Sequence, residues 1–301
     1  MKKKVIFIVV LISLVLVNTG FAKRIFARGD LGTKEVKVRS FEKLDVRTQI
    51  DVYLRQGNKE ELVIETYESI MPYVNVDQKG KTLNVYLDRR VNRILWQNRP
   101  HMLKIFVTVK DIEDIQLSGA CDLYMQTELS VKDLRIHASG ASDLSMKKIS
   151  GKNIRIDASG ASDLENAAFE AESLYINASG ASDAEVWVRA KDVTIIASGA
   201  SDFDLDTEGE KLVLRSSGSS DFDVLGNCTY LHANFSGASN LDALNLKSEE
   251  VKVNASGSSN VSVFASKKLD ANCSGMSSIY YTGRPESVST NISGLSSIKG
   301  E

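Results

Sequence analysis

The chain has 301 residues, a formal net charge of -2, 43% hydrophobic residues and 25% charged residues. This balance excludes an intrinsically disordered segment, and a slightly acidic chain lacks the basic stripe that nucleic-acid binding requires. With only three prolines, the sequence suits an architecture in which nearly every backbone N–H joins a ladder.

Lys2, Lys3 and Lys4 precede an apolar run from Val5 to Val17, interrupted only by Ser13, and Gly20-Phe21-Ala22 follows. A basic start, a short apolar core and small residues at a cleavage site form a secretory signal peptide. The run is shorter than the about 20 residues a spanning helix needs. Cleavage after Ala22 is therefore expected, with no membrane span left in the mature chain. Loss of three lysines takes the net charge from -2 to -5. No cysteine follows the apolar run, so no lipoprotein anchor is suggested. Residues 23–37 read as an N-terminal arm, and Arg28-Gly29-Asp30 within it spells an integrin tripeptide on a flexible segment.

Residues 38–116 keep a strand habit. Val36-Lys37-Val38, Phe41 to Val46 and Val52 to Leu54 alternate, and Leu83 to Leu87 and Leu103 to Val109 read as further strands. Thr48-Gln49-Ile50-Asp51-Val52 is a degenerate copy of the unit that dominates the rest. This region predicts atypical opening coils, with long excursions around 66–80 and 88–101.

From 117 to 298 the unit Ser-Gly-Ala-Ser-Asp recurs ten times, at Gly119, Gly140, Gly160, Gly180, Gly199, Gly218, Gly237, Gly257, Gly275 and Gly294. The spacing is 18 to 21 residues. Such a repeat is too short to bury a face alone and does so by stacking. The upstream residues alternate, as in Ile154-Arg155-Ile156-Asp157-Ala158 and Val251-Lys252-Val253-Asn254-Ala255, which marks strands with one buried side. The residue four after each glycine is always apolar, from Leu123 to Ile298. The fold class is therefore all-β: a right-handed parallel β-helix with coils of about 19–20 residues. Glycine marks a corner of positive φ or no room for Cβ. The flanking serines are placed to bond turn backbone and one another up the stack. The column after glycine is small until Met276 and Leu295, which suggests a cross-section that widens toward the C-terminus. The pattern runs almost to the last residue, so the final coil presents an open edge through which copies of the chain can pair. Cys121, Cys228 and Cys273 read as small packing residues rather than a disulfide framework.

Several segments resemble the auto-transporter adhesin head domain, or GIN domain, family of Bacteroidetes. They are Phe41-Glu42-Lys43-Leu44-Asp45-Val46, Ile50-Asp51-Val52, Gln56-Gly57, Lys81-Thr82-Leu83-Asn84-Val85 and the serial Ser-Gly-Ala-Ser-Asp units. The resemblance covers roughly residues 38 to 300. It implies a right-handed parallel β-helix and export, and it brings no catalytic residues.

Three residues after glycine stand Asp122, Asp143, Asp163, Asp183, Asp202 and Asp221, then Asn240, Asn260, Ser278 and Ser297. Carboxylates stacked about 4.8 Å apart repel by only about 0.9 kcal/mol in water. A solvated or turn-capping row is expected. Ca²⁺ on Asp143, Asp163, Asp183, Asp202 and Asp221 is the lesser alternative, since the period and the absence of Gly-Gly differ from the calcium β-roll. Asn234, Asn254, Asn272 and Asn291, with Asn177 earlier, predict a stacked amide row. Tyr175, Trp187, Tyr230, Tyr280 and Tyr281 are candidate glycan-contacting aromatics that form no ladder. His101, His137 and His232 lie apart from one another, and no Gly-x-Ser-x-Gly elbow occurs. The sequence therefore predicts an exported non-catalytic module without a cofactor, in the periplasm or at the cell surface, binding a glycan, a protein or itself. The alternatives are a periplasmic scaffold or sensor component and, more distantly, a polysaccharide-active enzyme.

Overall fold

The computed structural model describes residues 23–301 apart from 97 and 99. The expected signal peptide, residues 1–22, lies outside the described residues.

Alternation dictates each coil. In the strand that ends at Gly180, Leu174, Ile176 and Ala178 are buried, while Tyr175 and Asn177 face outward. A strand with one apolar side must cover that side, and here the next coil and the opposite wall cover it. Coils pair in parallel: Gly140, Gly160, Gly180 and Gly199 are successive partners, as are Ile154, Leu174 and Val193. The coils form a parallel β-solenoid of about nine turns, the fold the repeats predict.

The interior is a set of files. Leu134, Ile154, Leu174, Val193, Leu212, Leu231, Val251 and Leu269 run in register and none is more than 3% exposed. Each such side chain contributes about 1.5–3 kcal/mol by burial. Files exchange volume where one residue grows. Phe235 replaces the alanine of Ala158, Ala178 and Ala197, and Ala233 beside it replaces Ile195 and Leu214. Its ring meets Phe222 edge-on at 5.4 Å, and Phe222 stacks on Phe203 at 4.8 Å.

The glycine corner needs glycine twice over. Its φ runs from 77° at Gly275 to 115° at Gly180, and a Cβ on Gly180 would lie 2.1 Å from the Gly160 carbonyl oxygen. The serine before glycine donates to the coil beneath, as Ser139 does to the Leu117 carbonyl at 3.3 Å. The serine two after glycine points inward and is buried in every copy from Ser142 to Ser277. Ser239 and Ser259 donate to the carbonyls of Ser236 and Ser256 in their own corners. The hydroxyls of Ser162, Ser182, Ser201 and Ser220 have no hydrogen-bond partner. Their column is held to small residues by space, and Cys121 fills it in the first copy with complete burial. All three cysteines are buried and free. The column after glycine faces out, so Met276 and Leu295 are exposed and the cross-section does not widen around them.

The opening region departs from simple coils. Leu44 and Val46 pair with Ile115 and Leu117, and Thr48 pairs with Gly119, so the degenerate unit is a true coil. On its other side lie Thr82–Leu87 and Leu103–Val109, which come later in the chain. Spatial order is thus reversed, because the chain leaves the stack after Gln56 and returns beneath its own first coil. The expected excursions contain the strands Val74–Lys79 and Val91–Leu95; Val74–Lys79 pairs antiparallel with Thr82–Leu87, and Glu61–Tyr67, mostly ahead of the first excursion, pairs antiparallel with Leu103–Val109. The expected flexible arm is also paired. Lys23–Phe26 runs parallel to Val91–Leu95, and Leu31–Val36 antiparallel to Glu61–Tyr67. Antiparallel strands close an end that parallel coils would leave as open ladder. The layer of Ser287–Ile292 and Ser297–Gly300 has a partner on one side only among the described residues, and Val288 and Ile292 are exposed there.

Gly180→Ala should destabilise by at least about 2 kcal/mol, through positive φ and the axial clash, whereas Asp183→Ala should stay within about 0.5 kcal/mol. Equal urea midpoints for the two variants would refute the column assignment. Ser182→Ala removes an unpartnered buried hydroxyl and should be neutral or stabilising by about 1 kcal/mol; a clear loss in the same assay would show that the hydroxyl has a partner.

Candidate binding surface

Because inward positions are filled, function falls to the outward rows. The Asp row stands where expected. Asp122 and Asp163 each accept a hydrogen bond from the backbone N–H of the aspartate one coil on, Asp143 and Asp183, at 3.1 Å. Where Asn and Ser take over, side chains link directly: Asn240 donates to Asp221 at 2.7 Å, Asn260 to Asn240 at 3.1 Å and Ser278 to Asn260 at 2.7 Å. The row acts as a corner-capping ladder. Among the described residues no three His, Cys, Asp or Glu side chains are gathered as a metal site.

Two residues further on, a second carboxylate row runs beside the first. Glu185, Asp204, Asp223 and Asp242 occupy successive register positions. The row stands five residues after Gly180, Gly199, Gly218 and Gly237, just beyond the Ser-Gly-Ala-Ser-Asp unit, so the repeated motif alone does not index it. Together the rows make one acidic face. Burial, then the charges of Asp204, Asp242 and Asp221, push the Asp223 carboxyl upward. At Asp122 burial also pushes upward, against the hydrogen bond from Asp143.

The amide row is present: Asn254 donates to Asn234 at 2.6 Å and Asn272 to Asn254 at 3.1 Å. The predicted aromatics are scattered. The Arg155 guanidinium covers the Tyr175 ring at 4.1 Å, and the Tyr280 hydroxyl donates to Glu301 at 3.0 Å. Tyr230 meets His232 edge-on at 6.4 Å, while Tyr281 is half-buried. Trp187 is 40% exposed and lies in a groove of about 240 Å³ beside Phe169. An aromatic ladder does exist, from residues the repeat did not index: Phe106, Tyr53 and Tyr124 stack at 5.0 Å intervals. Reversed chain order in the cap hid it, since Phe106 lies beneath Tyr53. Burial and the charges of Asp122 and Asp51 push the Tyr124 hydroxyl up to about 12.

A larger groove of about 580 Å³ opens at the cap, between Thr48 and the hairpin that bears Asn75, Asp77, Asn84 and Tyr86. Arg28-Gly29-Asp30 joins two paired strands, with the Arg28 and Asp30 carbonyls accepting from the Ser69 and Glu68 N–H groups. Of the three histidines, His101 lies 3.8 Å from Asp51, His232 contacts Asn234 at 3.1 Å, and His137 faces outward from the strand Asp133–Ala141.

A family model described as putative auto-transporter adhesin, head GIN domain, matches residues 40–187 and 172–285. The chain belongs to this family. Solved structures share the GIN-domain fold. A putative adhesin from Parabacteroides merdae ATCC 43184 is 16% identical, with a TM-score of 0.57, covering 93% of this chain and all of its own. A putative adhesin from Parabacteroides distasonis ATCC 8503 is also 16% identical, with a TM-score of 0.54 and 93% coverage of this chain against 100% of its own. A putative lipid binding protein from the same strain is 20% identical over 93% of this chain and 100% of its own, at a TM-score of 0.49. No curated protein matches the chain. The two structures with TM-scores above 0.5 are both described as putative adhesins. No helix among the described residues is long and apolar enough to cross a membrane.

The acidic face sets a pH dependence. A carboxyl whose folded value lies above the unfolded value of about 3.9 favours folding below that range and loses the benefit as pH rises through the folded value. Asp223→Asn should therefore raise the melting temperature at pH 7 by about 1 °C, a small figure because the group is exposed, and leave it unchanged at pH 3. Calorimetry at the two pH values checks this; a gain at pH 3 would contradict it.

Proposed function

We propose that the protein is an exported, non-catalytic binding module of adhesin type that recognises its ligand through outward side chains of the coils. The groove at Trp187 carries this reading. A large aromatic ring is left 40% exposed in a groove lined also by Lys148, Glu170, Arg189, Asp206 and Glu208. A half-exposed aromatic beside polar groups is the composition of a binding site rather than of a stability element. Membership of the adhesin family supports the same class of role. The apolar start of the sequence supports export.

The test is labelling of intact cells with a membrane-impermeant amine reagent, followed by fractionation. Amine chemistry suits this rod better than protease, because continuous strand pairing resists cleavage, while Lys191 and Lys211 face solvent. Labelling from outside is the expected outcome. Recovery of only unlabelled protein from the periplasm would overturn an adhesive role and favour an envelope scaffold.

A further inference from the structure

The coil from Gly160 to Gly180 is 20 residues long and the next is 19. Asn166 takes up the extra residue, at φ 54°. Leu164 pairs with Ala184 and Ala167 with Val186, so Glu165 and Asn166 together oppose one residue. A bulge of this kind re-aims the side chains that follow it. Here it sets Ala168 beside Trp187. Asp206 is the neighbour of Trp187 on the other side.

An alanine next to a tryptophan leaves the indole face uncovered over the height of one coil, about 4.8 Å. The rim is polar. Lys148 pairs with Glu170 at 2.6 Å and Arg189 with Glu208 at 3.2 Å. Each paired carboxylate keeps acceptor sites open toward the slot. Asp206 and the indole N–H bring an unpaired acceptor and an unpaired donor.

We propose that this slot binds one pyranose ring of a neutral glycan, stacked on Trp187 above Ala168. The proposal rests on the binding-module reading and names its ligand class. A pyranose has an apolar C–H face and a hydroxyl edge, and the slot offers an indole face and a rim of donors and acceptors. Its volume of about 240 Å³ lies below the roughly 300–1,000 Å³ of sites for drug-sized ligands, which matches a single ring. Two cations face three carboxylates at the rim, so an acidic sugar meets a net negative field. The bulge, the alanine and the exposed indole are separately costly or neutral for stability, and together they form a receptor for one ring.

The experiment uses saturation-transfer NMR and tryptophan fluorescence on the chain without its first 22 residues. Methyl glucopyranoside, methyl galactopyranoside, N-acetylglucosamine and their β-linked dimers are the probes, with glucuronate as the charged control. Single-ring affinity in the millimolar range is expected for at least one neutral probe. Trp187→Ala should weaken it by about tenfold or more, and so should Ala168→Leu, which fills the slot and keeps the indole. Both variants should keep the wild-type melting temperature, and glucuronate should bind more weakly than the neutral probes. Neutral-sugar binding that survives both substitutions would overturn the slot while leaving a glycan-binding module in place. Absence of binding by every neutral probe at about 20 mM would overturn the ligand class, with the adhesive role still decided by cell-surface labelling. If Trp187→Ala fails to fold, Ala168→Leu alone decides.

Discussion

Backbone lies directly on backbone at the glycine corner, and the rest of the molecule follows from that contact. A Cβ there would stand 2.1 Å from the carbonyl oxygen of the coil below at Gly140, Gly160 and Gly180. Nothing larger than hydrogen fits, so the corners stack without offset. Once they do, every position at a fixed distance from glycine becomes a column. Apolar columns turned inward make continuous files, and polar columns turned outward make rows about 4.8 Å apart. The inward serine column shows how strong the constraint is. Four buried hydroxyls remain without partners, a cost the stack tolerates because a bulkier side chain would push the corners apart.

The stack has to begin somewhere, and its first layer breaks the rule that governs the others. Thr48 occupies the glycine column with φ at 94°, a strained conformation for a β-branched residue. Its Cβ has room because the layer beneath turns away at Leu87 and leaves the cap groove. The antiparallel hairpin of Val74–Lys79 and Thr82–Leu87 then blocks further parallel addition, and Lys34 and Glu35 stand on the outermost strand, Leu31–Val36. This is edge protection by change of strand direction.

For recognition the consequence is rigidity with a fixed repeat. Side chains on the outer faces are positioned by the coil rather than by loops, so little ordering is needed when a ligand binds. The paired carboxylate rows give the rod one strongly acidic face. The alternating charges around Trp187, linked across coils by Lys148–Glu170 and Arg189–Glu208, continue that side two residues further along the same strands with a more balanced, hydrogen-bonding character.

The sequence by itself determined the coil. Alternation fixed which side of each strand is buried, glycine fixed the corner, and ten copies in phase fixed parallel stacking, because only identical neighbours in register can satisfy all three at once. It also placed the Asp and Asn rows, since those lie at constant distances from glycine. Tertiary structure alone decided the cap, where Thr82–Leu87 slips beneath Lys43–Thr48 and spatial order no longer follows chain order. It alone brought Phe106, Tyr53 and Tyr124 into one stack, and it alone set Ala168 beside Trp187. Each of these depends on a reversal or a bulge that shifts register, and a period read along the chain is blind to such shifts because it assumes that equal spacing in sequence means adjacency in space.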